Sequence, residues 1–341
     1  MKLDDLCETF HTLRFPRAGV AAHPDRESVL GARARVGSAV ADDVFLADCI
    51  AGELRLIERG SLRRGLTPFF TVPDLGIHLA LGYWSAGMKP GAQEHTAWTI
   101  TAVCRNTLEV LTYDREACYR TGALVPKNHF HAPAGKVGFI YEPCIHEPRN
   151  LSEEWSLSLH VISPRDGERP ADHPDPLPFL DTVAVVPKED AHPFTRVMVA
   201  RQRDRYVHQL ARILMTMDVA DARAPLEMCF DMASSATRRM IAESGRVPVP
   251  REAESGWRLR RTHTDLVLGC RRRGDMVALD VETPLGPRQA FVTGDVAREA
   301  IAFVTRESMF DVEALPGPFS REDRAALAEA LEQTGVFTRA S

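Results

Sequence analysis

At 341 residues, with 44% hydrophobic and 26% charged side chains, the chain is an ordinary globular protein, too long for one small domain of about 150 residues and long enough for a second core. A net charge of −5 argues against a general nucleic-acid binder, and no apolar run approaches the roughly 18 residues of a spanning helix, so no membrane partner is expected. The opening MKLDDLCETFHTLRF lacks the apolar centre of a signal peptide, and the expected location is cytoplasmic.

Leu3, Leu6, Phe10 and Leu13 fall at helical spacing and predict a short helix over 3–14, closed before Pro16. Leu30, Val36, Val40, Leu46 and Ile50 recur at every third or fourth position and predict further helices over 25–60. From Phe69 to Ser163 the period changes to two, with Gly and Pro at short intervals, which predicts strands. The Pro- and Asp-rich stretch 164–190 reads as a linker carrying one short strand, Val183 to Val186. Residues 194–218 predict a long helix that carries five arginines and in which Val197, Leu210, Ile213, Leu214 and Met217 form one stripe; a homodimer through that stripe is expected. Residues 225–243 predict another helix, and TDLVLGCRRRGDMVALDVET with RQAFVTG predicts a short antiparallel sheet. Helices at 294–306 and 321–334 follow, the last with Ser320 as N-cap, Asp323 in a capping box and Gly335 at its end. The expected layout is an N-terminal helical region over 1–68, a β domain over 69–165, a linker over 166–190 and an α+β domain over 191–341. Seven scattered cysteines without a C-x-x-C argue for buried free thiols rather than disulfides or a cysteine zinc site.

Two segments of the β region carry chemistry. In GYWSAGMKPGAQEHT, Gln93 and His95 lie two apart on a strand, so both project from one face while Glu94 points away. In YEPCIHEPRNLSEEWSLSLHVISP, His146 is followed by Asn150 and by Ser158 and His160. Histidines from two distant strands that face into one barrel are how a β scaffold holds a divalent metal.

WSAGMKPGAQEHT resembles the first metal motif of the cysteine dioxygenase family of cupins, in which a Trp, a Gly three residues later and an H-x-H pair share this spacing. IHEPRNLSEEWSLSLHVISP resembles the second motif of that family. The resemblance covers roughly residues 55–170 and implies a mainly β jelly-roll barrel with helices ahead of it. The domain after it loosely resembles a winged-helix module of the kind appended to some cupin oxygenases. Implied too are Fe(II), or another divalent metal, held by Gln93, His95 and His146, and a hydrogen-bonded pair of Ser158 and His160 beside the substrate. Trp84, with Arg63 or Arg64 gripping a carboxylate, would complete the substrate site; a surface role stands equally open for the arginines. The implied reaction is oxidation by O2 of a thiol or other small chelating substrate, free or bound to a carrier or peptide.

Three departures mark the chain. Gln93 stands where the family has its first ligand histidine; the tyrosine that completes the Ser-His pair in many members would fall near Ile162; and no cysteine stands at the family's usual cross-link position, near Ile100. Gln93 either coordinates through its carboxamide oxygen or stands behind the ligands with water in its place. His129 and His131, another H-x-H pair, read as a loop before a strand, with the barrel mouth or the missing ligand position as alternatives. A dioxygenase is the leading expectation. A non-catalytic sensing or scaffold cupin and another metal-dependent cupin enzyme, a lyase or hydroxylase, are the others.

Overall fold

The structure is a computed structural model describing residues 1–58, 67–168, 193–247 and 257–340, with 175, 177, 178 and 180 between them. The chain forms two units, Met1–Val186 with Met217–Pro225, and Pro187–Thr216 with Leu226–Ser341.

In the first unit, α1 (Leu3–Thr12), α2 (Arg26–Val40) and α3 (Asp43–Glu58) lead the chain. α1 ends ahead of Pro16, which has no N–H to continue the ladder. α2 starts at Asp25, whose carboxylate accepts the Ser28 N–H at 2.7 Å. Between Pro68 and Ile162 come β1 (Pro68–Thr71), β2 (His78–Trp84), β3 (Gln93–His95), β4 (Thr99–Arg105), β5 (Thr107–Tyr113), α4 (Arg115–Thr121), β6 (Pro126–Pro133), β7 (Val137–Ile140), β8 (Cys144–Arg149) and β9 (Ser156–Ile162). They pair antiparallel into two sheets, β1-β2-β9-β4-β7 and β3-β8-β5-β6. With β1 set aside as an added edge, the first, eighth, third and sixth strands form one sheet and the second, seventh, fourth and fifth the other. That order is the double-sheet jelly roll.

Alternation along β9 shows which face is which. Leu157, Leu159 and Val161 are buried on the outer side, while Ser158 and His160 lie on the opposite face, toward the barrel interior. α2 and α3 pack over this sheet, with Arg33 Nε donating to Val137 O at 3.0 Å, and α3 comes so close that a Cβ on Gly52 would sit 2.6 Å from the Phe69 ring. The other sheet is covered on its outside by a cluster of Tyr113, Cys118, Ile145, Leu177 and Leu180. The segment Met217–Pro225 rejoins this unit: a 3-10 turn at Ala220–Ala222 packs on α3, and Asp221 pairs with Lys2 at 3.1 Å.

In the second unit, α5 spans Pro193–Thr216, and its Val197, Val207, Leu210 and Leu214 are buried. α6 (Arg223–Met232) begins in the first unit's segment and is followed by α7 (Ser235–Glu243). The one helix expected over 225–243 is therefore two, parted at Ala233 and Ser234, with Ser234 as the N-cap position of α7. The strands β10 (Arg258–Arg261), β11 (Leu268–Arg273), β12 (Met276–Val281), β13 (Arg288–Gly294), β14 (Met309–Asp311) and β15 (Phe337–Ala340) form two sheets, β14-β10-β15 and β11-β12-β13. The second is the expected meander. The first, assembled from three separated pieces, went unread and gives this unit two three-stranded sheets where a winged-helix module has one small wing. α8 (Arg298–Val304) is shorter than the helix expected over 294–306, because a 3-10 turn at Asp295–Ala297 precedes it, and α9 (Arg321–Gln333) closes the core with β15. Arg63, Arg64 and the expected strand Val183–Val186 lie outside the described residues, as does most of 166–190.

Candidate metal centre

β3 and β8 bring the first group together. Gln93 lies opposite His146 and His95 opposite Cys144, so Gln93, His95 and His146 share the inner face. The rings of His95 and His146 stand 4.8 Å apart between centroids, inclined at 64°. His146 Nε2 is buried and has no hydrogen-bond partner among the described residues. A polar nitrogen left so costs about 1–3 kcal/mol unless something in the barrel meets its lone pair or proton. Burial pushes the His146 pKa well down, and the nearby His95 and His160 push the same way, so the ring is neutral near pH 7, the form that binds metals.

His95 is fixed by a residue that sequence reasoning assigned to the linker. Asp166 Oδ2 lies 2.6 Å from His95 Nδ1, and Asp166 Oδ1 accepts the backbone N–H groups of Thr96 at 2.9 Å and Ala97 at 3.3 Å. A carboxylate only accepts, so His95 carries its hydrogen on Nδ1 and leaves the Nε2 lone pair free, the arrangement found behind metal-bound histidines. Only the acidic residue after Pro164-Arg165 signalled this, and nothing in its spacing pointed back to His95. Glu94 points away as expected, bonded to Arg115 Nε and the Tyr119 hydroxyl, each at 2.6 Å.

Across the barrel lies a second group. Trp84 Nε1–H donates to Ser158 Oγ at 2.8 Å, and Ser158 Oγ lies 2.7 Å from His160 Nε2. The other His160 nitrogen, Nδ1, lies 3.2 Å from Thr101 Oγ1, a partner that the sequence did not suggest. Burial, with a smaller push from His95, holds the His160 pKa down to about 3. Gly82 makes room for the group: a Cβ there would lie 2.6 Å from Ser158 Oγ, 2.8 Å from His160 Nε2 and 3.0 Å from Trp84 Nε1. Trp84, expected beside the substrate, thus backs Ser158 with its only polar hydrogen. Asn150 holds the corner of the barrel, its Nδ2 donating to the carbonyls of Trp84 (2.8 Å), Ser85 (3.1 Å) and Glu154 (2.6 Å).

Other candidates stand apart. His129 and His131 lie on β6, not in a loop, and both bond outward to Glu109, at 2.6 and 2.7 Å. Among the described residues no three His, Cys, Asp or Glu side chains are grouped to hold a metal. What the inner face does offer is two imidazoles, one oriented by a carboxylate and one with an unengaged buried nitrogen, beside the carboxamide of Gln93. Such donors suit a divalent transition metal, held more loosely than by three imidazoles.

No family model and no curated protein matches the sequence. Among solved structures the chain is similar to a conserved protein with a double-stranded β-helix domain from Klebsiella pneumoniae, at 13% identity over 30% of this chain and 76% of that one, TM-score 0.23. It is similar to a cupin superfamily protein from Desulfitobacterium hafniense at 13% identity over 30% and 75%, TM-score 0.22, and to an oxalate decarboxylase from Bacillus subtilis at 14% over 30% and 26%, TM-score 0.25. The place of the barrel among the jelly rolls rests on its own strand order.

Proposed function

We propose that the barrel is a metal-dependent oxygenase site, an iron-dependent dioxygenase resembling cysteine dioxygenase, which oxidises a thiol or another small chelating substrate with O2. The observation that carries the reading is the unengaged, buried Nε2 of His146 beside His95, whose own Nε2 is freed by Asp166. His95 and His146 would hold the metal with Gln93 as the third, neutral donor. When bound, Fe(II) supplies a Lewis acid that draws substrate and O2 together. The chain supplies orientation: Asp166 fixes His95, and the Trp84, Ser158 and His160 group presents a hydrogen-bonding edge from the opposite sheet.

A second reading follows from Gln93. A carboxamide oxygen binds Fe(II) more weakly than imidazole does, which favours a sensing or scaffold protein if the metal is not retained. Metal analysis of anaerobically purified protein separates the two, alongside oxygen uptake with a panel of small thiols. Near one iron per chain with thiol-dependent uptake supports the oxygenase. A wild type without metal, but a Gln93→His variant that binds it, supports the second reading.

A further inference from the structure

The hydrogen bonds of the second group have a direction, and it is set at one end. An indole N–H can only donate. Trp84 therefore makes Ser158 Oγ an acceptor, and the one hydrogen of Ser158 needs an acceptor of its own. Ser158 is fully buried, and its partners are Trp84 Nε1 and His160 Nε2. Were His160 Nε2 protonated, Ser158 would accept twice and leave a buried hydroxyl hydrogen without a partner, which a site closed to water penalises. Ser158 thus donates to His160 Nε2. The neutral ring then carries its hydrogen on Nδ1 and donates to Thr101 Oγ1. Thr101, having accepted, holds a hydroxyl hydrogen for which no described residue provides the acceptor.

Thr101 lies on β4 opposite His160, on the inner face of the barrel. Two residues earlier on that face, Thr99 Oγ1 is buried and also has no partner among the described residues. We infer that the barrel binds a ligand bearing a hydrogen-bond-accepting oxygen, such as a carbonyl or carboxylate, which receives the hydrogen of Thr101, with Thr99 as a second donor beside it. The polarity runs from Trp84 through Ser158 and His160, so Thr101 meets the ligand as a donor. It selects against ligands that offer only donors or only apolar surface there. The inference rests on the barrel interior being the binding site proposed above.

The test reads the chain of bonds and the ligand separately. Nitrogen-15 correlation spectra of histidine-labelled, metal-free protein at neutral pH should show the His160 ring as the Nδ1–H tautomer; the Nε2–H tautomer overturns the inference. Iron-loaded protein is then titrated with mercaptoacetate and with ethanethiol. Wild type should bind mercaptoacetate the more tightly, Thr101→Val should lose about tenfold of that affinity with ethanethiol unchanged, and Thr101→Ser should regain most of it. Equal affinity of wild type and Thr101→Val for mercaptoacetate, or no preference for it over ethanethiol, overturns the inference. Failure of the metal reading shows independently, as protein that retains no iron under anaerobic loading.

Discussion

Asp166 stands behind His95, and the tautomer of that ring depends on it. Asp166→Asn keeps the size of the side chain but can turn an N–H toward His95 Nδ1, so the imidazole loses its fixed tautomer. Metal affinity should fall about 10- to 100-fold, measured by competition with a chromophoric chelator, while the melting temperature changes little. His146→Ala should abolish metal retention outright. Gly82→Ala places a methyl group within 2.6 Å of Ser158 Oγ and should break the Trp84–Ser158–His160 group while leaving His95 and His146 in place. A Gly82→Ala protein with unchanged His160 nitrogen shifts would contradict that geometry. Away from the site, Glu53 on α3 is 4% exposed, one of its carboxyl oxygens has no partner among the described residues, and burial raises its pKa to about 8. The folded state therefore holds a proton that the unfolded chain releases above its ordinary carboxylate pKa. The stability this gives is complete below about pH 4.5 and is lost as pH rises through about 8. Glu53→Gln should accordingly melt above wild type at pH 9, with the difference shrinking as the pH is lowered toward 5; a difference independent of pH would mean that Glu53 stays charged.

At the level of elements, the local rules hold best where the sequence punctuates itself. α9 begins at Ser320, whose Oγ accepts the Asp323 N–H at 3.1 Å while Asp323 Oδ2 accepts the Ser320 N–H at 3.1 Å, and it ends at Gly335 with φ +75°. Ser320→Ala should cost about 1 kcal/mol in denaturant titrations. Gly335→Ala should cost more, because its Cβ would lie 2.5 Å from the Val197 carbonyl in a backbone conformation that L residues avoid. Period-two alternation likewise revealed the barrel strands, the shared face of Gln93 and His95, and the outward turn of Glu94. What it could not reveal was anything made by pairing at a distance. The sheet β14-β10-β15 is assembled from short strands far apart in the chain, and α4 is too short for a periodic signal, although Asp114 and Gly122 cap it. Asp166 and Thr101 reach the site only through the fold. The first comes back from 71 residues away to His95, and the second lies on the neighbouring strand, 59 residues from its partner His160.

For the whole molecule, the two units cannot be parted by one cut, because Met217–Pro225 returns to the first after α5 has been laid down in the second. A fragment ending near residue 190 would lack the turn that packs on α3 and the Asp221 partner of Lys2. It should unfold at a lower temperature than the same unit in the full chain. Tryptophan fluorescence in a Trp257→Phe background would report this, since Trp84, Trp98 and Trp155 all belong to the first unit. The same path imposes an order in time. On the ribosome the last barrel strand emerges roughly sixty residues before this closing segment, which at about 5–20 residues per second leaves several seconds during which the face of α3 that will receive it stands bare. The nascent chain thus keeps one face of α3 open to wrong contacts after its barrel is already complete, and a pause in translation between residues 162 and 217 should lower the yield of soluble protein more than one placed after residue 232.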